Sequence, residues 1–96
     1  MNAGKTNEIT IYSTSWCRWC DRAKELFTAR GVEYTDVNIE TWDQPREKLE
    51  HLTGRRSVPQ IYVGETHVGG FDDLAALDTD GALCALFETE GIPARV

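Results

Sequence analysis

Ninety-six residues with 41% hydrophobic composition suit one compact domain, residues 1–96, with a modest core and no room for a second. Ten Lys and Arg against sixteen Asp and Glu give a formal net charge of −6, which weighs against nucleic acid or an anionic membrane as the main partner. No apolar run approaches the roughly 20 residues of a membrane span, and the polar stretch from Met1 to Glu8 lacks the apolar segment of a secretory signal. These features read as a cytoplasmic protein in a reducing compartment.

Residues 1–7 read as a flexible leader. Glu8 to Ser13 alternates polar and apolar residues and is rich in β-branched types, which predicts a first strand. After Thr14, Ser15 and Trp16, the segment from Cys17 to about Arg30 places Ala23, Leu26, Phe27 and Arg30 at helical spacing, and Gly31 supplies a stop. Val32 to Ile39 is expected to be a second strand, with Val32, Tyr34, Val37 and Ile39 as its apolar members. Thr41 to Thr53, with Pro45 near its start, predicts a short helix with Leu49 and Leu52 as its apolar stripe, ended by Gly54. Pro59 to Val63 reads as a third strand, Gly64-Glu65 as a turn and Thr66 to Val68 as a brief fourth strand. Gly69-Gly70 breaks the chain. Helices are expected from about Phe71 to Leu77 and from about Gly81 to Glu90, with Leu83, Leu86 and Phe87 inward. The order β-α-β-α-β-β-α predicts an α/β fold: a mixed four-stranded sheet with helices on both faces, its first β-α-β unit a parallel pair.

Cys17 and Cys20 bracket Arg18 and Trp19 at the junction of the first strand and helix. A sulfur over the first helical turn meets free backbone N–H groups and the positive end of the helix dipole, both of which favour a thiolate. Arg18 adds positive potential beside it. Cys20, one turn along, is placed to attack a mixed disulfide formed at Cys17. A zinc site needs about four ligands, and beyond this pair the chain offers Cys84, His51 and His67 plus carboxylates, without a second paired motif. A structural disulfide here would close too short a loop to stabilise much and would be reduced in the cytoplasm. Redox exchange, with Cys17 attacking and Cys20 resolving, is therefore the preferred reading. Val58-Pro59 precedes the third strand, either as a simple edge-strand start or as a cis bond that turns the Val58 backbone outward beside Cys17. The position favours the second.

Together, the Cys-x-x-Cys helix, the run Gly54 to Val63 containing Val58-Pro59, and His67-Val68-Gly69-Gly70-Phe71-Asp72-Asp73-Leu74 resemble the glutaredoxin family, most closely its small bacterial dithiol members. The resemblance runs from about Glu8 to Glu88. It implies a thioredoxin fold, a glutathione-dependent disulfide reductase, and a groove that holds glutathione beside Cys17. In that groove Val58 would pair its backbone with the tripeptide, next to Pro59. Gly70, Phe71 and Asp72 would hold the γ-glutamyl end at a helix start, with Asp72 facing its ammonium. Trp19 would wall the groove, and Arg55 or Arg56 would meet the glycyl carboxylate. Glutathione is then a co-substrate, and disulfide-bearing or glutathionylated proteins are the partners of a monomer.

Two departures stand out. Arg18-Trp19 replaces the family's common Pro-Tyr, and members without that proline more often accept a 2Fe–2S cluster bridged between two subunits with glutathione, with Cys17 as the ligand. Thr14 stands where a lysine is common, which leaves Arg18 as the nearby cation. Trp16 is also unusual and reads as a shield for Cys17, a protein-docking residue or packing. The alternative functions are an electron donor recharged by thioredoxin reductase and a cluster carrier. Cys84 is expected on the inner face of the last helix as a buried inert thiol. His67 is expected to be an ordinary strand residue and His51 helix surface.

Overall fold

In the computed structural model, which describes residues 8–93, four strands form one sheet in the order β2-β1-β3-β4. The expected leader 1–7 lies outside the described residues. β1 (Ile9–Ser13) pairs in parallel with β2 (Thr35–Asn38) and antiparallel with β3 (Gln60–Val63), which in turn pairs antiparallel with β4 (Thr66–Gly69). The alternation of β1 sorts its residues onto two faces. Ile9 and Ile11, with Ile61 and Val63 opposite them, face a core built from Ala23 and Phe27 of α1 (Arg18–Ala29), Leu74 of α3 (Phe71–Asp80) and Leu83 and Phe87 of α4 (Ala82–Glu90). On the other face, Tyr12 packs edge-on against Trp42 and Tyr62. There α2 (Pro45–Thr53) accepts the Tyr62 hydroxyl at the Leu52 carbonyl, 3.3 Å away. Helices thus cover both faces, as the thioredoxin fold requires.

Helix α1 ends at Arg30, and Gly31 at φ 74° turns the chain so that the Val32 amide donates back to the Phe27 carbonyl at 3.1 Å. This return packs Val32 into the core and delays the next strand. The expected second strand, Val32 to Ile39, is therefore only four residues long, and Ile39 opens a 3₁₀ turn (Ile39–Thr41). Leu49 is fully buried, but Leu52, expected in the same stripe, is 56% exposed, so the short α2 buries only one leucine. Cys84 corrects a second expectation: it is an exposed free thiol. Leu83 and Phe87 face inward four residues apart, and Cys84 lies about 100° round the helix from Leu83.

Ion pairs tie α1 to its neighbours. Arg30 grips Asp78 with two hydrogen bonds of 2.7 Å, linking the end of α1 to α3. Lys24 of α1 meets Asp36 of β2 at 2.8 Å, and the Ser13 hydroxyl donates to the same carboxylate. The hydrogen bond from Arg30 holds the Asp78 carboxyl below its ordinary value. Partial burial pushes Asp36 upward, but the hydrogen bonds from Lys24 and Ser13, with the Lys24 charge, outweigh it and leave Asp36 lowered as well. Carboxyls lowered by folding contribute stability that is present above the unfolded-chain value, about 3.9, and is lost as pH falls through the folded value. Thermal melts by circular dichroism should therefore fall between about pH 4.5 and 3, and Asp78→Asn should flatten that dependence. Acid profiles of equal steepness for the parent and the variant would refute the Asp78 contribution.

Candidate functional site

The ends of β1, β2 and β4 and the start of β3 meet at one edge of the sheet, and the cysteine pair stands there. Cys17 is the N-cap of α1, in an extended conformation (φ −104°, ψ 107°), and its Sγ accepts from the Cys20 amide at 3.1 Å. The sulfur thus occupies the place of a capping side-chain oxygen, where unpaired amides and the helix dipole stabilise negative charge. Cys20, one turn on, is fully buried, whereas Cys17 is partly exposed. The two are drawn together as a disulfide with Cα atoms 5.2 Å apart. Only the first sulfur belongs to a residue open to solvent. Arg18, the first residue of α1, is exposed beside it.

The Val58-Pro59 bond is cis, as its position led the sequence reading to favour. Cys17 Sγ lies 3.6 Å from the Val58 carbonyl oxygen, so this backbone directly borders the reactive sulfur. From it a cleft of about 310 Å³ runs toward the start of α3, lined by Trp19, Arg55, Ser57, Val58, Pro59, Gly70, Phe71, Asp72 and Asp73. That volume lies at the small end of ligand-binding clefts. Seven of these residues were expected at the site from the sequence: Trp19, Arg55, Val58, Pro59, Gly70, Phe71 and Asp72. Arg56 is not among them; its guanidinium meets Glu50 at 3.0 Å and Glu47 at 3.9 Å on α2.

The walls differ in chemistry. Trp19 stacks on Phe71 with ring centroids 5.6 Å apart and 27° between planes, and the Arg22 guanidinium lies 5.6 Å from the Trp19 ring. At the far end, Asp73 reaches back to the Gly70 amide at 3.0 Å and caps α3, and Arg55 meets the same carboxylate oxygen at 3.3 Å. The Gly70 hydrogen bond, with smaller help from Arg55, holds the Asp73 carboxyl below its ordinary value. Asp72 is exposed on the first turn of α3 and makes no hydrogen bond or ion pair within the described residues. The cleft therefore presents an open carboxylate at a helix start, a half-committed arginine and an aromatic wall, all beside a cysteine.

Two lining residues escaped the sequence reading. Asp73 carried a signal, since an acidic residue three places after a glycine break marks a helix start. Ser57 carried none. Its carbonyl and hydroxyl accept from Gln60 Nε2 at 2.9 and 3.3 Å, and Gln60, fully buried, pairs its Oε1 with His67 Nε2 at 2.8 Å. His67 is thus a strand residue with a structural partner, and burial lowers its pKa. His51 is on the exposed surface of α2. No three His, Cys, Asp or Glu side chains come together to hold a metal ion among the described residues. None of their helices is long and apolar enough to cross a membrane.

Comparison with known proteins agrees with this geometry. The glutaredoxin family model matches residues 9–68. A glutaredoxin of Pseudomonas aeruginosa is 45% identical over 78 residues, covering 81% of this chain and 93% of the relative. Glutaredoxin 3 of Escherichia coli is 39% identical over 80 residues, covering 83% and 96%. Among solved structures, the buckwheat glutaredoxin–glutathione complex superposes with a TM-score of 0.80 at 28% identity over 91% of this chain and 82% of that one. The Brucella melitensis glutaredoxin does so with a TM-score of 0.76 at 35% identity, covering 92% and 96%. A Cys-x-x-Cys at a helix start, a cis Val-Pro beside it and matches over most of its length agree: the chain belongs to the glutaredoxin family of thiol–disulfide oxidoreductases.

Proposed function

We propose that this protein reduces glutathione mixed disulfides and protein disulfides at the expense of glutathione, with Cys17 as nucleophile and Cys20 as resolving thiol. The observation that carries the reading is the asymmetry of the pair: Cys17 is partly exposed at the helix start, 3.6 Å from the carbonyl of Val58, which lines the cleft, and Cys20 is fully buried. The Cys17 thiolate attacks the glutathionyl sulfur of a mixed disulfide. A new bond forms between the two sulfurs, and the substrate's sulfur leaves as a thiolate that solvent protonates. A second glutathione thiolate then attacks the glutathionyl sulfur held on Cys17, releasing glutathione disulfide and regenerating the Cys17 thiolate. With a protein disulfide, Cys20 instead displaces the substrate from Cys17 and closes the internal disulfide.

The cleft chemistry supports glutathione as the tripeptide. Its backbone would pair with Val58, its ammonium would meet Asp72, its γ-glutamyl carboxylate would sit at the free amides of the α3 start, and Arg55 would face its glycyl carboxylate. The solved buckwheat relative is a glutathione complex. The second cysteine separates the two routes. Cys20→Ser should retain at least about half of the activity on a small glutathione mixed disulfide, because that route uses one sulfur, and should lose reduction of a protein disulfide. Both rates are read from NADPH consumption with glutathione and glutathione reductase. Loss of the two activities in equal measure would refute the assigned roles.

A further inference from the structure

We propose that Trp16 is the residue that recognises the polypeptide half of a glutathionylated protein, on the side of Cys17 away from the cleft. The inference rests on the cleft being the glutathione site and extends it to the other half of the substrate.

Trp16 is 92% exposed, against 48% for Trp19 and 56% for Leu52, the other exposed large apolar side chains among the described residues. An indole left in water contributes no burial to the fold. Yet the backbone that carries it is tied down. The Ser15 amide donates to Glu40 Oε2 at 2.7 Å and its hydroxyl to Oε1 at 3.1 Å, so one carboxylate grips both groups of the residue before Trp16. Asn38 braces the same grip: its Nδ2 donates to the Ser15 hydroxyl at 3.1 Å, and its Oδ1 accepts the Glu40 amide at 2.8 Å. An exposed indole beside a reactive sulfur, on a loop fixed by three hydrogen bonds to Ser15 and braced by a fourth between Asn38 and Glu40, is presented rather than stray.

Topology gives the direction. Asn38 ends β2 and Glu40 lies in the turn that follows, so the loop is held toward β2. The cleft is built from the segment before β3 and from the start of α3. Because β1 lies between β2 and β3 in the sheet, the anchor of the loop that carries Trp16 and the cleft lie on opposite sides of β1. With the glutathionyl half in the cleft, the rim left uncovered is the loop 14–16 and Arg18. In the exchange the attacking, transferred and departing sulfurs lie in line, so the substrate's cysteine stands outward from Cys17 and the polypeptide around it spreads over the uncovered rim. A large rigid aromatic is well suited to anchor apolar side chains and peptide planes of such a segment. A two-carbon leaving group does not reach it.

The test measures kcat/KM for the parent, Trp16→Ala and Trp16→Phe on two substrates: S-glutathionylated serum albumin and the mixed disulfide of glutathione with 2-mercaptoethanol. The alanine variant should lose about tenfold on albumin, of the order one interface anchor contributes, and change less than about twofold on the small disulfide. Phenylalanine should recover most of the loss. Equal losses on both substrates, or none on albumin, would overturn the assignment of Trp16 while leaving the cleft reading intact. A parent enzyme inactive on both mixed disulfides would instead remove the glutathione cleft, and the docking role with it.

Discussion

Cys17→Ser should reduce turnover of a glutathione mixed disulfide to the uncatalysed background, a loss of at least about a hundredfold. Exchange at a disulfide needs an ionised sulfur, and a serine hydroxyl at the same N-cap does not ionise near neutral pH. The change is close to isosteric. Serine is itself a favoured N-cap, so its oxygen can accept the Cys20 amide that Sγ accepts at 3.1 Å in the parent. The fold is therefore expected to be unchanged, and the circular dichroism spectrum should show it. Cys20 does not replace the missing nucleophile, because it is fully buried beneath the first turn of α1. A Cys17→Ser protein that retained more than about a tenth of parental activity would place the attacking group elsewhere and undo the mechanism.

The second large effect is expected at a residue that carries no chemistry of its own. Gly69 sits at φ 113° at the end of β4, beside the irregular register around Ile61 and Tyr62. A Cβ there would collide with the Asp73 carboxylate and come within 3.3 Å of Arg55 Nη1. Gly69→Ala therefore forces an L-residue into a backbone region costing about 1–3 kcal/mol and displaces the carboxylate that caps α3, worth about 1 kcal/mol more. The combined loss of about 2–4 kcal/mol should lower the melting temperature by roughly 10–25 °C in a domain of this size. The start of α3 carries Phe71 and Asp72, so the surviving folded protein should also show a KM for glutathione raised severalfold. Thermal melts by circular dichroism and glutathione titrations test the two parts. A shift under about 3 °C would mean that the turn adapts and that its geometry does not set the cleft.

What the sequence disclosed was chiefly local. The N-cap position of Cys17 follows from where the alternating pattern of residues 8–13 gives way to helical spacing. The break before Phe71 follows from two adjacent glycines. The second strand was overextended because Val32 and Tyr34 lie in one phase of the alternation and Val37 and Ile39 in the other; a strand does not change phase without a break, and here the break is the approach from Gly31. Cys84 was misplaced for a different reason. Free cysteines are commonly buried, but the helical spacing of Leu83, Leu86 and Phe87 sets Cys84 off their stripe. The Ser15–Asn38–Glu40 grip and the Ser57–Gln60–His67 chain were illegible, because each joins side chains brought together only by strand pairing. Arg55 and Arg56, adjacent in sequence, were separable only once α2 showed which of them its carboxylates claim.

The exposure of Cys84 has a practical side. The thiol lies on α4 within electrostatic range of Arg30, at the end of α1 remote from Cys17, about 18 Å along the helix axis. The fully reduced chain therefore carries three thiols in three surroundings: one at a helix start, one exposed on α4 and one sealed in the core. Labelling with iodoacetamide and mass mapping of the peptides turns Cys84 into a built-in reference clock, against which the quickening of Cys17 and the slowness of Cys20 are read in one tube.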